Sequence, residues 1–341
     1  MPDSQDRRNE LNARLKEKLL QHCRGTCNLL TSIEGFHLVR RDVQKKPENC
    51  FEKPLAGLVI QGTKHSLVGG KDYAYTENQS IVAGVDMPIA SYITDPTPEK
   101  PFLFLYLYLN RETLTDLVAE MGEIPGGEEE ETDSGLTIAD TDEDIMEMFL
   151  RLMELLDKPE QISVRGPMML RELHYLLLLS PHGKNLRHLS TPGTQSSQIV
   201  QAVAWIRENF REPMRVETLA RQVHMSTANL YRRFKQMTGL SPLQYQKQMR
   251  LYEARRLMLL ENERVSSAAF AVGYESVAQF NREYKRAFGD SPLRDIATAG
   301  PWTPDTRKCG WAAREKRQRT DRRKIPYSQD PVPHRIAGRT A

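Results

Sequence analysis

The chain has 341 residues, of which 39% are hydrophobic and 27% are charged. That length is enough for two or three domains with cores of their own, and the composition is ordinary for a globular protein. The longest apolar run is too short to span a bilayer, and residues 1–25 lack the apolar centre of a signal peptide. No membrane role and a cytoplasmic location are therefore expected.

Charge is distributed unevenly along the chain, although the net charge is only +3. Residues 1–198 carry a net charge of −10, residues 199–299 carry +6 and residues 300–341 carry +7. An acidic front and a basic back are typical of a sensing part attached to a part that binds a polyanion such as nucleic acid. The same asymmetry can also arise without functional meaning, so it supports a conclusion only when other features agree.

The front of the chain is predicted to be a helix followed by many short strands. Residues 7–22 place leucines at helical spacing among charged side chains, which predicts an amphipathic helix. Residues 36–109 contain β-rich runs separated by turn sequences, and FLFLYLYLN from Phe102 is apolar on both faces. So many strands in so short a stretch predict a small barrel or sandwich.

Helices are predicted again after the strands. Residues 110–121 follow a helical pattern, and the Gly- and Glu-rich segment 124–135 is predicted to be a solvated, mobile loop. Apolar stripes predict two adjacent helices over about 139–157 and 164–180. Two such helices can cover the barrel or form a subunit interface.

The character of the chain changes at residues 190–198, because STPGTQSSQ has the composition of a linker. Beyond it, Ile199, Val203, Ile206 and Phe210 recur at helical steps and begin the basic half.

Two stretches of the basic half repeat each other at an offset of 50 residues. Residues 226–242 read STANLYRRFKQMTGLSP and residues 276–292 read SVAQFNREYKRAFGDSP. Each begins with a serine suited to N-capping, continues with apolar residues every four positions and ends in Gly, a further residue, Ser and Pro. A short apolar helix precedes each copy, and Gly273 allows a positive φ before the second. The pattern predicts two helix-turn-helix units in tandem, a much stronger signal than one.

The second helix of each unit presents small, polar and basic residues opposite its apolar stripe. On a helical wheel, Leu230 and Phe234 face inward, and the opposite side is free to enter a DNA groove. Arginine can bond the edge of guanine with two nitrogens and asparagine can do the same with adenine, while lysines bind phosphate. A solvated helix face is the alternative. The predicted DNA contacts are Ala228, Tyr231, Arg232 and Lys235 in the first unit and Ala278, Asn281, Arg282 and Lys285 in the second.

A connecting helix is predicted between the two units, over residues 243–260. Eighteen residues of helix span about 27 Å. That length can hold two recognition helices about one turn of DNA apart, near 34 Å.

Residues 199–292 resemble the DNA-binding domain of the AraC/XylS family of bacterial transcription regulators. The resemblance is carried by MRLYEARRLMLLE in the connecting helix and by RVSSAAFAVGYESVAQFNREYKRAFGDSP at 264–292. Residues 25–188, with GLVIQGTKHSLVGG and VDMPIASYITDPTPEKPFL, resemble the cupin-like N-terminal domain of one branch of that family. The implied fold class is α+β multidomain: a small cupin-like β-barrel with flanking helices, then an all-α domain with two tandem helix-turn-helix units.

Four parts of the chain follow from these patterns and from the resemblance. Residues 1–189 are expected to sense and dimerise, residues 190–198 to link, and residues 199–299 to bind DNA. Residues 300–341, which are rich in Pro and Arg, are expected to be a disordered basic tail that either adds non-specific attraction to nucleic acid or has no role.

The barrel offers candidate positions for a small effector but a poor set of metal ligands. Tyr73, Tyr75, Tyr92 and Tyr106 are candidate lining residues, with core or surface aromatics as the alternative. His37 and His65 are widely separated, so neither a metal nor another cofactor is expected, and His65 is expected at the surface or in a turn.

The four cysteines, Cys23, Cys27, Cys50 and Cys309, lack paired metal-ligand spacing. We expect reduced, structural thiols.

These features together predict a sequence-specific transcription regulator rather than an enzyme, controlled by a small-molecule effector. The family resemblance implies double-stranded promoter DNA and RNA polymerase as partners, an activator more often than a repressor, and a possible homodimer. A non-specific architectural DNA-binding protein and a metal-dependent cupin enzyme fused to a DNA-binding unit remain the alternatives.

Overall fold

The computed structural model describes residues 4–44, 48–122 and 134–298. The chain begins with the helix α1 (Ser4–His22), as the leucine spacing predicts. Ten strands are present in the described residues, and all of them follow α1. The strands are β1 (Cys27–Leu30), β2 (Phe36–Arg41), β3 (Glu48–Glu52), β4 (Leu55–Gln61), β5 (Thr63–Val68), β6 (Lys71–Tyr75), β7 (Gln79–Ala83), β8 (Met87–Thr94), β9 (Phe102–Tyr108) and β10 (Leu136–Asp140).

The strands form two antiparallel sheets. One has six strands in the order β1-β2-β9-β4-β7-β10, and the other has four in the order β3-β8-β5-β6. The two sheets face each other. A contact between them shows this: the Nζ of Lys64 on β5 lies 4.9 Å from the ring centroid of Phe104 on β9. This confirms the predicted small sheet-rich domain.

Strand β9 is buried on both faces, as its continuous apolar sequence predicts. Successive side chains of a strand point to opposite faces. Leu103, Leu105 and Leu107 join the core beneath the helices, whereas Phe104 points toward the four-stranded sheet. A Cβ at Gly57 on the neighbouring strand would lie 2.2 Å from the Phe104 ring, so glycine at this position leaves room for the aromatic side chain.

The helices of the N-terminal part cover the outer face of the six-stranded sheet. Helix α1 shares one buried core with the sheet and with the helices α3 (Glu143–Leu155) and α4 (Ile162–Leu179). Within this core Phe36 stacks on Phe149 at a centroid distance of 6.1 Å. A short 3-10 turn at Pro159–Gln161 separates α3 from α4. The helices are α2 (Arg111–Met121), α3 (Glu143–Leu155), α4 (Ile162–Leu179) and α5 (Gly183–Ser190).

Two parts of this region differ from the sequence prediction. Residues predicted to start a helix at about 139 belong instead to β10, which pairs with β7, and α3 begins only at Glu143. The predicted acidic loop lies almost wholly outside the described residues, which exclude 123–133.

Cys23 and Cys27 form a disulfide, so the expectation of reduced thiols is wrong for this pair. Cys23 directly follows α1, where its backbone N–H donates to the carbonyl of Leu19, and the chain then reverses into β1 at Cys27. That reversal brings their Cα atoms to 6.2 Å. Cys50 takes no part in this disulfide.

The helical domain follows α5 after only four residues, Thr191–Thr194. The predicted linker 190–198 is therefore too long at its end, because Thr194 caps a helix that begins at Gln195. Ile199, Val203 and Ile206 are buried, as their spacing predicts. The helices are α6 (Gln195–Asn209), α7 (Val216–Gln222), α8 (Thr227–Thr238), α9 (Pro242–Leu260), α10 (Val265–Ala271), α11 (Val277–Phe288) and α12 (Pro292–Thr298).

Within the described residues, no helix is both long and apolar enough to cross a membrane. The predicted basic tail, together with Cys309, lies outside the described part of the chain.

Candidate DNA-contact surface and effector space

The two repeated stretches form helices that begin and end in the same way. Ser226 caps α8 and Ser276 caps α11, and each side chain accepts from the backbone N–H three residues on. Gly239 and Gly289 end these helices with φ values of 77° and 84°, a left-handed conformation that glycine adopts without strain. Pro242 and Pro292 then open the next helix in both copies, where the missing N–H is not needed.

The inward faces of the two helices are buried as predicted. Leu230 and Phe234 in α8, and Phe280 and Tyr284 in α11, have no exposed surface. Phe288, the last member of the predicted stripe, is half-buried. The stripe therefore holds each recognition helix against its own unit and fixes which side remains available.

All eight side chains predicted to contact DNA are exposed. The guanidinium of Arg232 donates to Asn229 Oδ1 at 2.8 Å and to Gln236 Oε1 at 3.4 Å, both on its own helix. These are exposed contacts with neutral partners, so the charge of Arg232 is available to a ligand. The exposed set comprises Ala228, Tyr231, Arg232, Lys235, Ala278, Asn281, Arg282 and Lys285.

Two exposed residues extend this surface and were missed by sequence reasoning. Gln236 and Arg286 occupy matching positions in the two copies, one helical turn beyond Arg232 and Arg282. Residues four apart lie on one helix face. The spacing was thus a signal that could have identified them.

The two units are held together by α9, whose 19 residues match the predicted connecting helix. Its Met249, Ala254 and Leu257 are buried, as their positions predict. At the usual rise this helix is about 28 Å long. Gly273, in the turn of the second unit, has a φ of 88°, and a Cβ there would lie 2.0 Å from the carbonyl oxygen of Arg211. The second unit therefore packs closely against the end of α6.

A second candidate site lies between the two sheets, where Tyr75 and Tyr106 are buried. Tyr75 shares a hydrogen bond of 3.0 Å with Ser66, and burial raises the pKa of its hydroxyl. Tyr106 stacks on His37 with a centroid distance of 4.5 Å. Tyr73 lies two positions from Tyr75 on β6, hence on the same face, and is half-buried beneath the ammonium of Lys71.

Tyr92 does not share this space with the other three tyrosines. It is paired with His65 across β8 and β5, and the two rings stack at 4.5 Å. Its hydroxyl donates to Asp72 Oδ2. His65 neighbours Ser66 along β5, so this cluster is on the opposite face from Tyr75. The structure also places His65 within a strand rather than in a turn.

No group of three or more His, Cys, Asp or Glu side chains suited to a metal ion occurs in residues 4–44, 48–122 and 134–298. His37 is used in the aromatic stack and His65 in a contact with Asp72.

Comparison with known proteins identifies both halves of the chain. Residues 32–185 match the family described as the AraC-type transcriptional regulator N-terminus, and residues 219–295 match a helix-turn-helix domain. The HTH-type transcriptional activator RhaS of Escherichia fergusonii is 29% identical over 145 residues, which cover 42% of this chain and 52% of RhaS. RhaS of Salmonella schwarzengrund is 35% identical over 100 residues, which cover 29% of this chain and 36% of RhaS. The chain thus matches about half or less of the length of these relatives.

Two solved structures resemble the fold of most of the chain. An apo variant of ToxT from Vibrio cholerae has a TM-score of 0.54 at 12% identity and covers 79% of this chain and 99% of that one. Wild-type ToxT bound to an unsaturated fatty acid has a TM-score of 0.53 at 11% identity, with coverage of 79% and 98%. At such identities the likeness concerns the fold.

The AraC-type N-terminal match and the helix-turn-helix match occur in the order that the sequence indicates and together cover about two thirds of the chain. The chain therefore belongs to the AraC/XylS family of transcriptional regulators.

Proposed function

We propose that this protein is a sequence-specific DNA-binding transcription regulator controlled by a small molecule that binds in its N-terminal domain. Residues 1–189 carry sensing and dimerisation in this proposal, and residues 199–299 carry DNA binding. The proposed cellular location is the cytoplasm, and the proposed main partner is promoter DNA. The single observation that carries it is the pair of matching, exposed recognition faces on α8 and α11.

Each recognition face combines a guanine-reading group with groups that hold phosphate. Arg232 and Arg282 are proposed to bond base edges, and Lys235 and Lys285 are proposed to bind the backbone. Asn281 is suited to adenine. Because α9 joins the two faces within one chain, one molecule would contact two successive segments of the major groove. Ala228, Tyr231 and Ala278 would allow or make close contact at the same surface.

The proposed effector site is the space between the two sheets. Tyr75 and Tyr106 face it, Tyr73 lies at its edge, and the tyrosine-lined surface offers both apolar faces and hydroxyl groups. ToxT, which shares the fold, has been solved with an unsaturated fatty acid. That precedent supports a small organic ligand for a chain of this fold.

The proposed action on transcription is activation through RNA polymerase. The two RhaS relatives, each of which matches part of the chain, are named as transcriptional activators. Support for this step comes from those relatives, not from a surface identified in the described residues.

The proposed homodimer would use the exposed apolar stripe of α4. Val164, Met168, Tyr175 and Leu179 are between 41% and 68% exposed and lie on one side of the helix. Their spacing is symmetrical about the midpoint of the stripe, since Val164 and Leu179 are equally far from that point, as are Met168 and Tyr175. A two-fold axis repeats the same patch on both subunits, so two copies of α4 in antiparallel orientation would match the outer pair and the inner pair.

Selection of duplex DNA by the full chain tests the proposal. We expect one clear motif with two parts, whereas an architectural protein would yield none and would show only a steep salt dependence. Replacing Arg232 or Arg282 with alanine should weaken binding to that motif by about 1–3 kcal/mol and relax the preference at one position of one part. Arg165→Ala, which removes the same charge from α4, is the matched control and should leave the motif unchanged.

A further inference from the structure

A ring from the N-terminal domain lies at the junction of the two helix-turn-helix units. Phe51 on β3 is 2% exposed. Its ring meets that of Tyr245 edge-on at a centroid distance of 5.0 Å and that of Tyr252 at 5.6 Å. Both tyrosines belong to α9 and are seven residues apart, so they lie on one face of that helix, two turns from each other.

Each tyrosine is connected to one recognition helix through aromatic contacts. Tyr245 packs edge-on against Phe234, the inward residue of α8, at 5.2 Å. Tyr252 packs against Phe288 at the end of α11 at 5.2 Å, and Phe288 contacts Tyr284 at 4.5 Å. One phenylalanine of the sensing domain thus joins two continuous rows of aromatic rings, one into each DNA-binding unit.

A hydrogen bond fixes the first branch further. The hydroxyl of Tyr245 donates to the backbone carbonyl of Asp86, at a distance of 2.7 Å, from within a fully buried site. The carboxylate of Asp86 lies 3.5 Å from the guanidinium of Arg207 on α6. The N-terminal domain therefore holds α9 by both packing and polar contacts.

The opposite face of β3 looks into the proposed effector space. Cys50 and Glu52 flank Phe51 in the strand, and the Sγ of Cys50 donates to Glu52 Oε2 at 3.2 Å. Burial raises the pKa of both Tyr75 and Tyr108, and the charge of Glu52 adds to each shift, so this carboxylate interacts electrostatically with tyrosines of both sheets. Among the described strands, β3 is at the edge of its sheet and forms backbone hydrogen bonds with β8 alone.

We propose that Phe51 is the positioning residue by which the N-terminal domain sets the relative placement of the two recognition helices, through Tyr245 to α8 and through Tyr252 and Phe288 to α11. A ligand between the sheets displaces or fixes β3 through Glu52, and Phe51 passes that change to α9. The regulated quantity is then the spacing and orientation of two DNA contacts, not the accessibility of either. This inference rests on the proposed DNA-binding function and specifies its regulation.

The test uses the full chain and the two-part DNA motif that the wild-type chain selects. A second duplex carries one additional base pair between the two parts, a shift of about 3.4 Å. We expect the wild-type chain to bind the lengthened site roughly tenfold more weakly, and Phe51→Leu to reduce that preference to about threefold or less. Affinity for a duplex holding a single part should stay the same, since the contacts within each unit are unaffected.

Phe36→Leu is the matched control. Phe36 is as deeply buried and also stacks on an aromatic ring, but that ring is Phe149 in the core of the N-terminal domain. This variant loses a ring without touching α9 and should retain the wild-type preference. Tyr252→Leu removes the same contact from the other side and should reproduce the effect of Phe51→Leu.

Three results would overturn the inference. One is an unchanged spacing preference in both Phe51→Leu and Tyr252→Leu. Another is an equal loss in Phe36→Leu, which would indicate general destabilisation. If the wild-type chain selects no two-part motif, the proposed function itself fails, and this outcome is distinguishable because it appears before any variant is made.

Discussion

The guanidinium of Arg250 in α9 donates a hydrogen bond of 2.9 Å to the carbonyl oxygen of Gly273 in the turn of the second helix-turn-helix unit. The same group donates to the carbonyls of Phe210, Arg211 and Glu212 at the end of α6, at 2.6–3.1 Å. One side chain thus satisfies carbonyl groups from both sides of the connecting helix. The relative placement of the two units depends on it directly.

Replacing Arg250 with methionine should therefore destabilise the DNA-binding domain more than an ordinary surface change. Methionine keeps much of the apolar stem but leaves several carbonyl groups without their charged donor. Hydrogen bonds to charged groups contribute about 1.5–3 kcal/mol each in favourable cases, and we expect a loss of about 2–3 kcal/mol in total. Urea unfolding followed by circular dichroism measures it. Arg221→Met, at an exposed arginine of α7, should change stability little, and equal losses in both variants would contradict this role for Arg250.

The two glycines that end the recognition helices offer a matched comparison. Both have left-handed φ values, but a Cβ at Gly239 would lie 2.6 Å from the backbone of Gly69, whereas a Cβ at Gly289 would meet nothing within 4 Å. Gly289→Ala should lower the free energy of unfolding by about 1–2 kcal/mol through backbone strain alone. Gly239→Ala should lower it by a further 1–3 kcal/mol or so, because the hairpin between β5 and β6 must move away.

Thermal unfolding of the two alanine variants checks this comparison. The contact between Gly239 and Gly69 joins the DNA-binding and N-terminal parts of the chain, so the additional loss reports on their packing. Equal melting temperatures for the two variants would show that this packing is absent in solution.

Stability should decrease between about pH 6.5 and pH 4 because of His182. This buried ring shares hydrogen bonds with Ser80 at 2.9 Å and Thr137 at 2.7 Å, and burial lowers its pKa from 6.5 to about 4. The unfolded chain therefore binds a proton in this range that the folded chain does not. The neutral ring contributes stability above pH 6.5, and about 3 kcal/mol of it is lost as the pH falls toward 4.

Denaturant titrations at a series of pH values test the role of His182. Wild-type stability should rise with pH across this window, and His182→Gln should give a distinctly flatter profile. Superimposable profiles would assign the pH dependence to other groups.

The exposed stripe of α4 predicts a dimer that a single charge disrupts. Met168→Asp places a carboxylate in the centre of the proposed interface, where it would have to be desolvated without a partner. We expect dimerisation to weaken at least about tenfold, which corresponds to about 1.4 kcal/mol. Analytical ultracentrifugation over a range of concentrations measures the association. Ser163→Asp, an exposed residue of the same helix off the stripe, should leave it intact, and a wild-type chain that stays monomeric throughout would refute the interface.

The tandem units were predictable because their signals are local. A serine cap, an apolar residue every four positions and a terminal glycine all fall within 17 residues, and the second copy confirms each reading of the first. Ser276, Phe280 and Gly289 take the predicted roles. Once the buried face of each recognition helix is predicted, its exposed face is also known, because it is the opposite side of the same helix.

Features that depend on distant parts of the chain were not predictable in the same way. The Cys23–Cys27 disulfide requires the chain to fold back after α1, and four residues of separation carry no signature of that reversal. Strand β10 is defined by its pairing with β7. Tyr92 and Ile93 alternate along β8, and the sequence does not say which of the two faces the other sheet.

Helix α6 begins earlier than the linker composition predicts, for a simpler reason. Ser and Gln residues after Gly193 have the composition of a linker, yet Thr194 accepts a hydrogen bond from the backbone N–H of Ser197 and so begins α6. Thr194 could have been identified as a helix N-cap from its residue type, but the linker-like composition around it favoured a loop.

The short stretch Thr191–Thr194 has a consequence for how firmly the two halves must adhere. Four extended residues reach at most about 14 Å. A DNA-binding domain that separates from β3 therefore remains tethered to the N-terminal part by a segment of at most that length. Tethering at this range corresponds to an effective concentration of roughly millimolar or more. Even a weak interaction between the two halves would therefore keep them associated most of the time. A modest change in the free energy of that interaction would suffice to change the fraction of molecules in which the halves are separated.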